Sequence, residues 1–241
     1  MKPISIVHQH NNLSSYVMAK DSSKEIVLSY YDYLLRASDV ALLQGSHWLN
    51  DIIIGFYFEY LDENFNKNER KSLYFISPQV TQLLKMSEPS QYGIFLDATS
   101  ITDCKCILFP LNNCESKDAA GGSHWSLLAY CKEDKVCYHF DSSKGINNSI
   151  ASKFAKNVMN GILDEEETNG TFVETDCPQQ DNGYDCGVYV LCLADTITES
   201  VTKNGKVSGC DYSQVKKLVH TKRTQLLNLI NELKRKSSTE K

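Results

Sequence analysis

Several hallmarks of common protein classes are missing from these 241 residues. The sequence has no low-complexity block and no internal repeat at solenoid spacing, so one domain is the simplest organisation. It has no apolar run long enough to cross a bilayer, which argues against a membrane protein. It also lacks a concentrated basic face, and with a formal net charge of -5 it is not expected to bind nucleic acid. We therefore expect a monomeric globular protein with neither a membrane nor a nucleic acid as its partner.

The cysteines lack the pattern of a secreted protein. They number nine, an odd count without framework spacing, and no apolar core of a signal peptide is found near the N-terminus. Both observations predict reduced thiols and a cytoplasmic or nuclear location. Two close pairs, Cys104 with Cys106 and His8 with His10, are candidate metal ligands, but neither has a second pair at a usual zinc spacing. We expect no metal site and no cofactor.

Residue patterns divide the chain into a polar tail, a folded region and a short end. Residues 1–25 are rich in Ser, Asn, His and Lys without sustained periodicity, which predicts a flexible tail, and residues 237–241 form a second tail. Between them, strand patterns occupy the middle of the chain and helical patterns lie at both ends. This order favours an α+β fold for residues 26–236.

The predicted elements have recognisable boundaries. Asn50 or Asp51 can cap the first buried helix, and Ser77 before Pro78 is a start signal for a second one. The hydrophobic periods predict helices at 52–61, from 78 onward, at 150–163 and at 215–233, and strands at 104–111, 124–131, 136–141 and 171–174.

One segment, Pro178–Leu193, carries the strongest sign of chemistry. It begins polar and turn-rich and becomes apolar at Val188, which predicts a buried helix capped by Asp185 or Asn182. Cys186 then lies at or near the helix N-terminus, where unpaired N–H groups and the helix dipole favour a thiolate. A free cysteine is more often a small core residue. The polar, glycine-flanked approach is what distinguishes Cys186 from the other eight.

A predicted hairpin supplies a geometric test for a histidine and a carboxylate. Its strands, 124–131 and 136–141, are joined by a short polar segment, and a loop of two or four residues pairs residues whose numbers sum to 267. His124 and Asp141 then become diagonal neighbours on one face, together with Ser126. A carboxylate beside an imidazole fixes its tautomer and stabilises its charged form, as a general base requires. A loop of odd length would break this parity.

Two alternatives stay open at this point. His139 lies on the same face as the carboxylate, although a histidine within a strand is more often structural than catalytic. His124 is preferred because it follows two glycines at a strand mouth, where a substrate backbone can approach closely. For the oxyanion, Gln180 lies six residues before Cys186 and can join the Cys186 backbone N–H as a donor. Gln179 beside it is the alternative, and spacing alone does not choose between them.

Four short motifs occur in an informative order: Trp48-Leu49-Asn50-Asp51, Gly121-Gly122-Ser123-His124-Trp125-Ser126, Phe140-Asp141-Ser142 and Gln180-Asp181-Asn182-Gly183-Tyr184-Asp185-Cys186-Gly187. With His before Asp before Cys, they resemble the Ulp-type cysteine proteases that process ubiquitin-like modifiers, and not the papain-like enzymes in which the cysteine comes first. The resemblance spans about residues 28–230. It implies a papain-like core of Ulp type, with a central mixed sheet flanked by helices and the nucleophile at a helix N-terminus.

The resemblance also implies a role for each site residue. Cys186 is the expected nucleophile, His124 the general base and acid, and Asp141 the carboxylate that orients it. Gln180 rather than Gln179 is the expected oxyanion donor. No cofactor takes part in this chemistry.

Substrate-binding roles follow from the same resemblance. Trp48 and Trp125 are expected to flank a narrow tunnel that admits only the Gly-Gly tail of the modifier, because any side chain would clash. The alternative for both is core packing, and we expect both rings to be largely buried in either role. Asp51 is expected to contact basic residues before the tail, and its alternative is helix capping.

Within the family, the likeness is closer to the deneddylase than to the SUMO proteases. Several segments carry it: Asp39-Val40-Ala41-Leu42-Leu43, Ile53-Ile54-Gly55-Phe56, Phe58-Glu59-Tyr60, Ala119-Ala120-Gly121-Gly122 and Tyr184. We therefore predict a cysteine isopeptidase that cleaves after the C-terminal Gly-Gly of the neddylation modifier, acting on its conjugates, which by resemblance include cullin-like targets, and on its precursor. The alternatives are a SUMO-specific or mixed-specificity protease, an acyltransferase, and a non-catalytic module that binds a ubiquitin-like protein.

Overall fold

The computed structural model of the chain describes the following ranges: 22–65, 72–116, 121–162 and 170–239. Most of the tail expected at 1–25, with the candidate metal ligands His8 and His10, lies outside them. At the other end the last helix continues through Thr239. Residues 237–239, expected to belong to a tail, are therefore helical.

The described chain enters the fold through a hairpin that is separate from the main sheet. Its strands are β1 (Ile26–Tyr30) and β2 (Tyr33–Arg36), which pair antiparallel. The short helix α1 (Ala37–Ala41) follows, and an exposed segment leads to α2 (Asp51–Phe65). Asn50 caps α2, because its side-chain oxygen accepts the backbone N–H three residues on at 3.0 Å. The aspartate that was the other capping candidate is the first residue of the helix.

A mixed five-stranded sheet forms the centre of the molecule. Its strands lie side by side in chain order: β3 (Leu73–Phe75), β4 (Cys106–Asn112), β5 (Trp125–Cys131), β6 (Val136–Phe140) and β7 (Thr171–Thr175). The outer pairs, β3 with β4 and β6 with β7, are parallel, whereas β5 runs antiparallel to both of its neighbours. The predicted α+β fold with a central mixed sheet is confirmed.

The register of the β5–β6 hairpin is the predicted one. Paired residues, for example Cys131 with Val136, have numbers that sum to 267, because the loop at 132–135 has four residues. β5 begins directly after His124, and β6 ends directly before Asp141. Both side chains therefore lie at the same end of the hairpin, where the strands open into loops.

Helices cover both faces of the sheet. The remaining ones are α3 (Pro78–Met86), α4 (Tyr92–Phe95), α5 (Ala98–Asp103), α6 (Asn148–Ile162), α7 (Cys186–Asn204) and α8 (Val215–Thr239). One face packs against α2, α7 and α8, and the other against α3, α4 and α6. Side chains of β4 alternate between the two cores, with Leu108 in the first and Ile107 in the second. A sheet buried on both faces explains why its central strands are continuous apolar runs. None of the described helices has the length and apolar character needed to cross a membrane.

Helix starts follow the predicted cap at α3 and depart from it at α7. Ser77 Oγ accepts a backbone N–H of the first turn at 3.1 Å, and Pro78 begins the helix. Asp185 is the N-cap residue of α7, but its side chain makes no capping bond, since Oδ2 accepts the side-chain N–H of Asn182 at 2.8 Å. Asn182 instead organises the approach to the helix, because its side-chain oxygen accepts the N–H groups of Tyr184 and Asp185 at 3.0 Å each.

Candidate active site

Cys186 is the first residue of α7 and is only 2% exposed. Backbone N–H groups in the first turn of a helix lack partners within the helix, so they are available to an anion or a polarised carbonyl. Gly187, the next residue, lies close to the segment that precedes α2. A Cβ added to it would be 3.0 Å from Leu49 Cβ. The glycine thus allows this segment to approach the thiol.

His124 and Asp141 meet at the end of the hairpin, as the predicted register requires. His124 Nε2 lies 2.6 Å from Asp141 Oδ1, and both side chains are buried. The other ring nitrogen, Nδ1, is left for Cys186, whose thiol is near enough to raise the pKa of the same ring. The three side chains therefore form a continuous chain from carboxylate through imidazole to thiol.

Both members of the His124–Asp141 pair are anchored by neighbouring loops. Asp141 Oδ1 also accepts the backbone N–H of Ser143 at 2.9 Å, and Oδ2 accepts that of Asn147 at 3.0 Å. On the histidine side, Asn113 Oδ1 accepts the backbone N–H of His124 at 3.1 Å. These bonds come from two different loops, so the relative position of ring and carboxylate is set before any substrate arrives.

The electrostatics of the pair favour a charged imidazole. Burial by itself lowers the pKa of His124, but hydrogen bonds and negative charge from Asp141 and Cys186 outweigh it and raise that pKa from 6.5 to about 9. Burial raises the pKa of Asp141, yet the bonds from His124, Asn147 and Ser143 hold it below its ordinary value. A carboxylate that stays ionised beside an imidazolium is the charge distribution that a thiolate nucleophile requires.

The two glutamines before the cysteine have different surroundings. Gln179 uses its whole side-chain amide on the protein: Nε2 donates to the carbonyls of Asp141 (2.9 Å) and Cys177 (3.0 Å), and Oε1 accepts the N–H of Lys144 (2.8 Å). Gln179 therefore braces the loop that follows the carboxylate.

Gln180 keeps part of its amide for a ligand. Its Oε1 accepts the hydroxyl of Ser142 at 2.8 Å, and one side-chain N–H donates to the carbonyl of Asn182 at 2.6 Å. Because a primary amide carries two N–H groups, one stays available. This difference favours Gln180 over Gln179 as the oxyanion donor, a choice that spacing left open.

His139 is a structural residue in the described part of the chain. Its ring is fully buried, with Nδ1 2.7 Å from Glu174 Oε2 and Nε2 2.9 Å from Ser126 Oγ. Both nitrogens are occupied by partners on adjacent strands, so neither is available to Cys186. The structure therefore favours His124 over this alternative.

A cavity of about 720 Å³ has Cys186 in its wall and both tryptophans among its lining residues. Trp48 Nε1 donates to the carbonyl of Gly183 at 2.6 Å, which bridges the cavity rim to the Cys186 segment. Trp125 Nε1 donates to the carbonyl of Leu49 at 3.1 Å. The two rings are thus tied to the two segments that converge on the thiol.

The expectation that both tryptophans would be largely buried is wrong for Trp48. Its side chain is 51% exposed, because it stands on the exposed segment between α1 and α2 and not in the core. Core packing is therefore excluded as the role of Trp48.

Asp51 is exposed in the same cavity wall, and its Oδ2 accepts the side-chain N–H of Gln79 at 3.1 Å. With capping performed by Asn50, the carboxylate of Asp51 faces the cavity.

No cluster able to hold a metal occurs within the ranges that the structure describes. Of the cysteine pair considered as ligands, Cys106 is buried with its Sγ 3.2 Å from Cys131 Sγ, and Cys104 hydrogen-bonds to the carbonyl of Ile101. These thiols belong to the sheet and its edge, far along β4 and β5 from the site.

Comparison with known families adds to this geometry. Residues 47–226 match the model of the Ulp1 protease family, C-terminal catalytic domain, which is most of the chain. The chain belongs to the Ulp1 protease family. As a member of the Ulp1 family it is a cysteine protease, which confirms the predicted family and enzyme class.

Similar proteins come from animals, plants and fungi. Sentrin-specific protease 8 of Mus musculus is 40% identical over 177 residues, which are 73% of this chain and 79% of that protein. NEDD8-specific protease 1 of Arabidopsis thaliana is 33% identical over 228 residues, covering 90% of this chain and 97% of the relative. Among solved structures, the yeast Ulp1 protease domain in complex with Smt3 superposes with a TM-score of 0.61 at 19% identity, covering 85% of this chain and 87% of that one. This structural likeness shows that the fold is the Ulp1 fold.

Two residues of this Ulp1-family site were missed at the level of sequence. Asn113 holds the backbone of His124, and Asn147 holds the carboxylate of Asp141. Asn113 had a findable signal: β4 and β5 pair residues whose numbers sum to 237, for example Asn112 with Trp125, which places Asn113 opposite His124. Asn147 had none, since its contact depends on how the loop after β6 folds back.

Proposed function

We propose that this protein is a cysteine isopeptidase that cleaves after the C-terminal Gly-Gly of a ubiquitin-like modifier of the neddylation type. The observation that carries the proposal is the position of Cys186. It lies in the wall of a cavity that two tryptophans line, beside a histidine–carboxylate pair whose histidine pKa it raises. The name of the Arabidopsis relative, NEDD8-specific protease 1, supports a NEDD8-type modifier over SUMO.

In this proposal the three buried side chains divide the chemistry. The Cys186 thiolate attacks the carbonyl carbon of the terminal glycine, and a C–S bond forms as the carbonyl electrons move to oxygen. His124 then donates its proton to the leaving lysine amine as the C–N bond breaks, which leaves a thioester. Water, deprotonated by the now neutral His124, hydrolyses the thioester and regenerates the thiol. Asp141 keeps the ring in the required tautomer throughout.

The oxyanion is proposed to bind between two donors. One is the backbone N–H of Cys186 at the start of α7, and the other is the spare side-chain N–H of Gln180. Preorganised donors of this kind stabilise developing charge without reorganisation during the reaction. Ser142 holds the Gln180 amide from the other side at 2.8 Å, so the donor is fixed in place.

Selection of the Gly-Gly tail is assigned to the cavity wall. Trp48 and Trp125 are large, flat side chains, and a passage between two such rings admits a glycine backbone but rejects a side chain. Asp51 places a carboxylate at the exposed wall of the cavity, where it pairs with a basic residue upstream of the tail. The modifier has this tail both when it is conjugated to a target, proposed to include cullin-like proteins, and within its precursor. One site therefore serves both deconjugation and maturation.

Electrophilic probes test the proposal directly. NEDD8, SUMO and ubiquitin, each ending in a thiol-reactive group after Gly-Gly, are incubated with the protein, and intact mass spectrometry counts adducts. We expect one adduct with the NEDD8 probe. Cys186→Ala abolishes it, whereas Cys210→Ala, which removes a partly exposed thiol distant in sequence from the catalytic groups, does not.

The other outcomes each contradict a defined part of the proposal. An adduct with SUMO alone preserves the mechanism and overturns the modifier. Labelling that survives Cys186→Ala overturns the nucleophile. Absence of any adduct in a folded sample, with binding to the modifier retained, indicates a non-catalytic binding module. Gel filtration and fluorescence microscopy test the accompanying proposals of a monomer located in the cytoplasm or nucleus.

A further inference from the structure

Arg223, in the middle of α8, joins the two segments that carry the cavity wall and the nucleophile. On one side its Nη1 donates to the carbonyl of Leu42 at 2.7 Å, and its Nη2 to that of His47 at 2.7 Å. On the other side Nε and Nη2 donate to Asp185 Oδ1 at 3.2 and 2.8 Å, and Nη2 approaches the carbonyl of Tyr184 at 3.5 Å. One guanidinium thus contacts the residues directly before Trp48 and directly before Cys186.

The first of these segments depends on such contacts for its position. Residues 44–48 are exposed, and Gly45 adopts a positive φ of 95°, so the chain forms a turn on the surface between α1 and α2. Few apolar contacts are available to an exposed turn, and its position is set largely by hydrogen bonds. The bond from Trp48 Nε1 to the Gly183 carbonyl is one link to the Cys186 segment, and Arg223 supplies another.

The chemistry of arginine suits this place. A guanidinium is planar and presents its five N–H donors in fixed directions, so it holds carbonyls and a carboxylate at a defined separation. The Arg223 and Asp185 side chains are 15% and 14% exposed, which strengthens their charge-assisted bonds relative to a surface pair. A lysine keeps the charge but has a single nitrogen, and that nitrogen cannot reach both segments in the same geometry.

We propose that Arg223 is a positioning residue that keeps the Trp48 wall aligned with Cys186. The inference rests on the proposed function, because it treats that wall as the guide for the Gly-Gly tail. Loss of the guanidinium lets the 44–48 segment move relative to the thiol. The glycine carbonyl then binds out of line with Sγ, and a displacement of about 1 Å in such a geometry costs roughly 100-fold in rate.

The adjacent residue provides a matched control. Lys222 lies on the same turn of α8 and is also buried, with Nζ 2.7 Å from Tyr57 Oη and 2.5 Å from Asp195 Oδ2. These partners are on α2 and on the middle of α7. Lys222→Met therefore weakens the docking of α8 without touching the Trp48 segment or Asp185.

The test compares Arg223→Gln, Arg223→Lys and Lys222→Met with the wild type, at a temperature where circular dichroism shows all four folded. For cleavage of a Gly-Gly-linked NEDD8 substrate we expect Arg223→Gln to lower kcat/KM roughly 100-fold, mostly through kcat. The kcat/KM of Arg223→Lys should exceed that of Arg223→Gln by less than about tenfold, and that of Lys222→Met should stay within about threefold of the wild type. The rate at which iodoacetamide alkylates Cys186, followed by peptide mass spectrometry, should stay within about threefold of the wild-type rate in every variant. Arg223 does not contact the histidine–carboxylate pair that sets the reactivity of the thiol.

Three results of these rate measurements overturn the inference. They are a kcat/KM of Arg223→Gln within about threefold of the wild type, an equal loss in Lys222→Met, and a fall in Cys186 alkylation that parallels the fall in turnover. A second readout does not require any modifier. In a Trp125→Phe background Trp48 is the sole tryptophan, and Arg223→Gln should lower its fluorescence anisotropy, whereas Lys222→Met should not. If the wild type cleaves none of the modifiers, the proposed function is wrong. The anisotropy measurement still tests the positioning role separately, because unchanged anisotropy in Arg223→Gln refutes it.

Discussion

Replacing Asp141 by Asn removes a charge from the site while nearly preserving shape. The carboxylate accepts three hydrogen bonds, from His124 Nε2 and from the backbone N–H groups of Ser143 and Asn147. An amide has one acceptor oxygen, so in either orientation its NH₂ group faces a donor. With NH₂ toward the ring, Nε2 must become the acceptor and the proton moves to Nδ1, the nitrogen that faces Cys186. The base for the thiol is then lost.

The size of the effect follows from the pKa of His124. The loss of the carboxylate lowers it from about 9 toward its ordinary 6.5, and at about 1.4 kcal/mol per unit this removes up to about 3.5 kcal/mol of stabilisation of the imidazolium. That energy corresponds to roughly 300-fold in kcat/KM. The unfavourable tautomer adds to it, so we expect a total loss between about 10²- and 10⁴-fold.

The pH profile of cleavage is the decisive assay. His124 loses its proton as the pH rises through its pKa, so the basic limb of kcat/KM lies near pH 9 in the wild type. In Asp141→Asn it should move down toward pH 6.5. The control is Asp176→Asn, which removes a carboxylate that is 96% exposed and pairs with Lys144 at the surface, and it should change neither limb nor rate. A basic limb that stays near pH 9 with a rate within about threefold of the wild type would refute the reasoning.

Two further pairs of variants distinguish effects on turnover from effects on stability. Gln180→Ala should lower kcat by about 10²- to 10³-fold, because it removes an oxyanion donor, whereas Gln179→Ala should act mainly on stability and cost about 1–3 kcal/mol of unfolding free energy, because it leaves loop groups unpaired. Steady-state kinetics beside urea denaturation checks both, and equal kcat values for the two would contradict the assignment. Gly122→Ala should lower the melting temperature, since Gly122 has a φ of 87° and an added Cβ would lie 1.8 Å from Asn112 Oδ1. Gly183→Ala, with no atom within 4 Å of the added Cβ, should leave it unchanged, and a similar fall in both would show that the strain at Gly122 is not the cause.

The parts of the site that were predictable from sequence are those that obey a local period. His124 and Asp141 could be placed together because side chains alternate along a strand and the loop between them has an even number of residues. Cys186 could be placed at a helix start because a polar, glycine-containing segment changes there into an apolar one. Each inference uses contacts between residues close in sequence or in one hairpin, where geometry follows from counting.

The remaining features depend on contacts between distant segments. The bond from Trp48 to Gly183 spans 135 residues, and that from Arg223 to Leu42 spans 181. No period in the sequence reports such a contact, because it arises only after α7 and α8 pack on the sheet. The exposure of Trp48 was mispredicted for the same reason: a large aromatic side chain is expected to be mostly buried, and only the tertiary arrangement shows that its ring stands at the rim of a cavity.

The same division between local and long-range contacts separates two parts of the site, the charge pair and the Trp48 wall. The charge pair rests on the buried end of the β5–β6 hairpin and on the 141–147 loop, where backbone N–H groups hold the carboxylate from two sides. The Trp48 wall stands on an exposed turn that α8 holds from a distance. A site that must fix the carbonyl of a peptide tail against Sγ needs both a fixed charge pair and an aligned wall. Changes in α8 should therefore act on the turnover of large substrates, and changes in the 141–147 loop on the reactivity of the thiol itself.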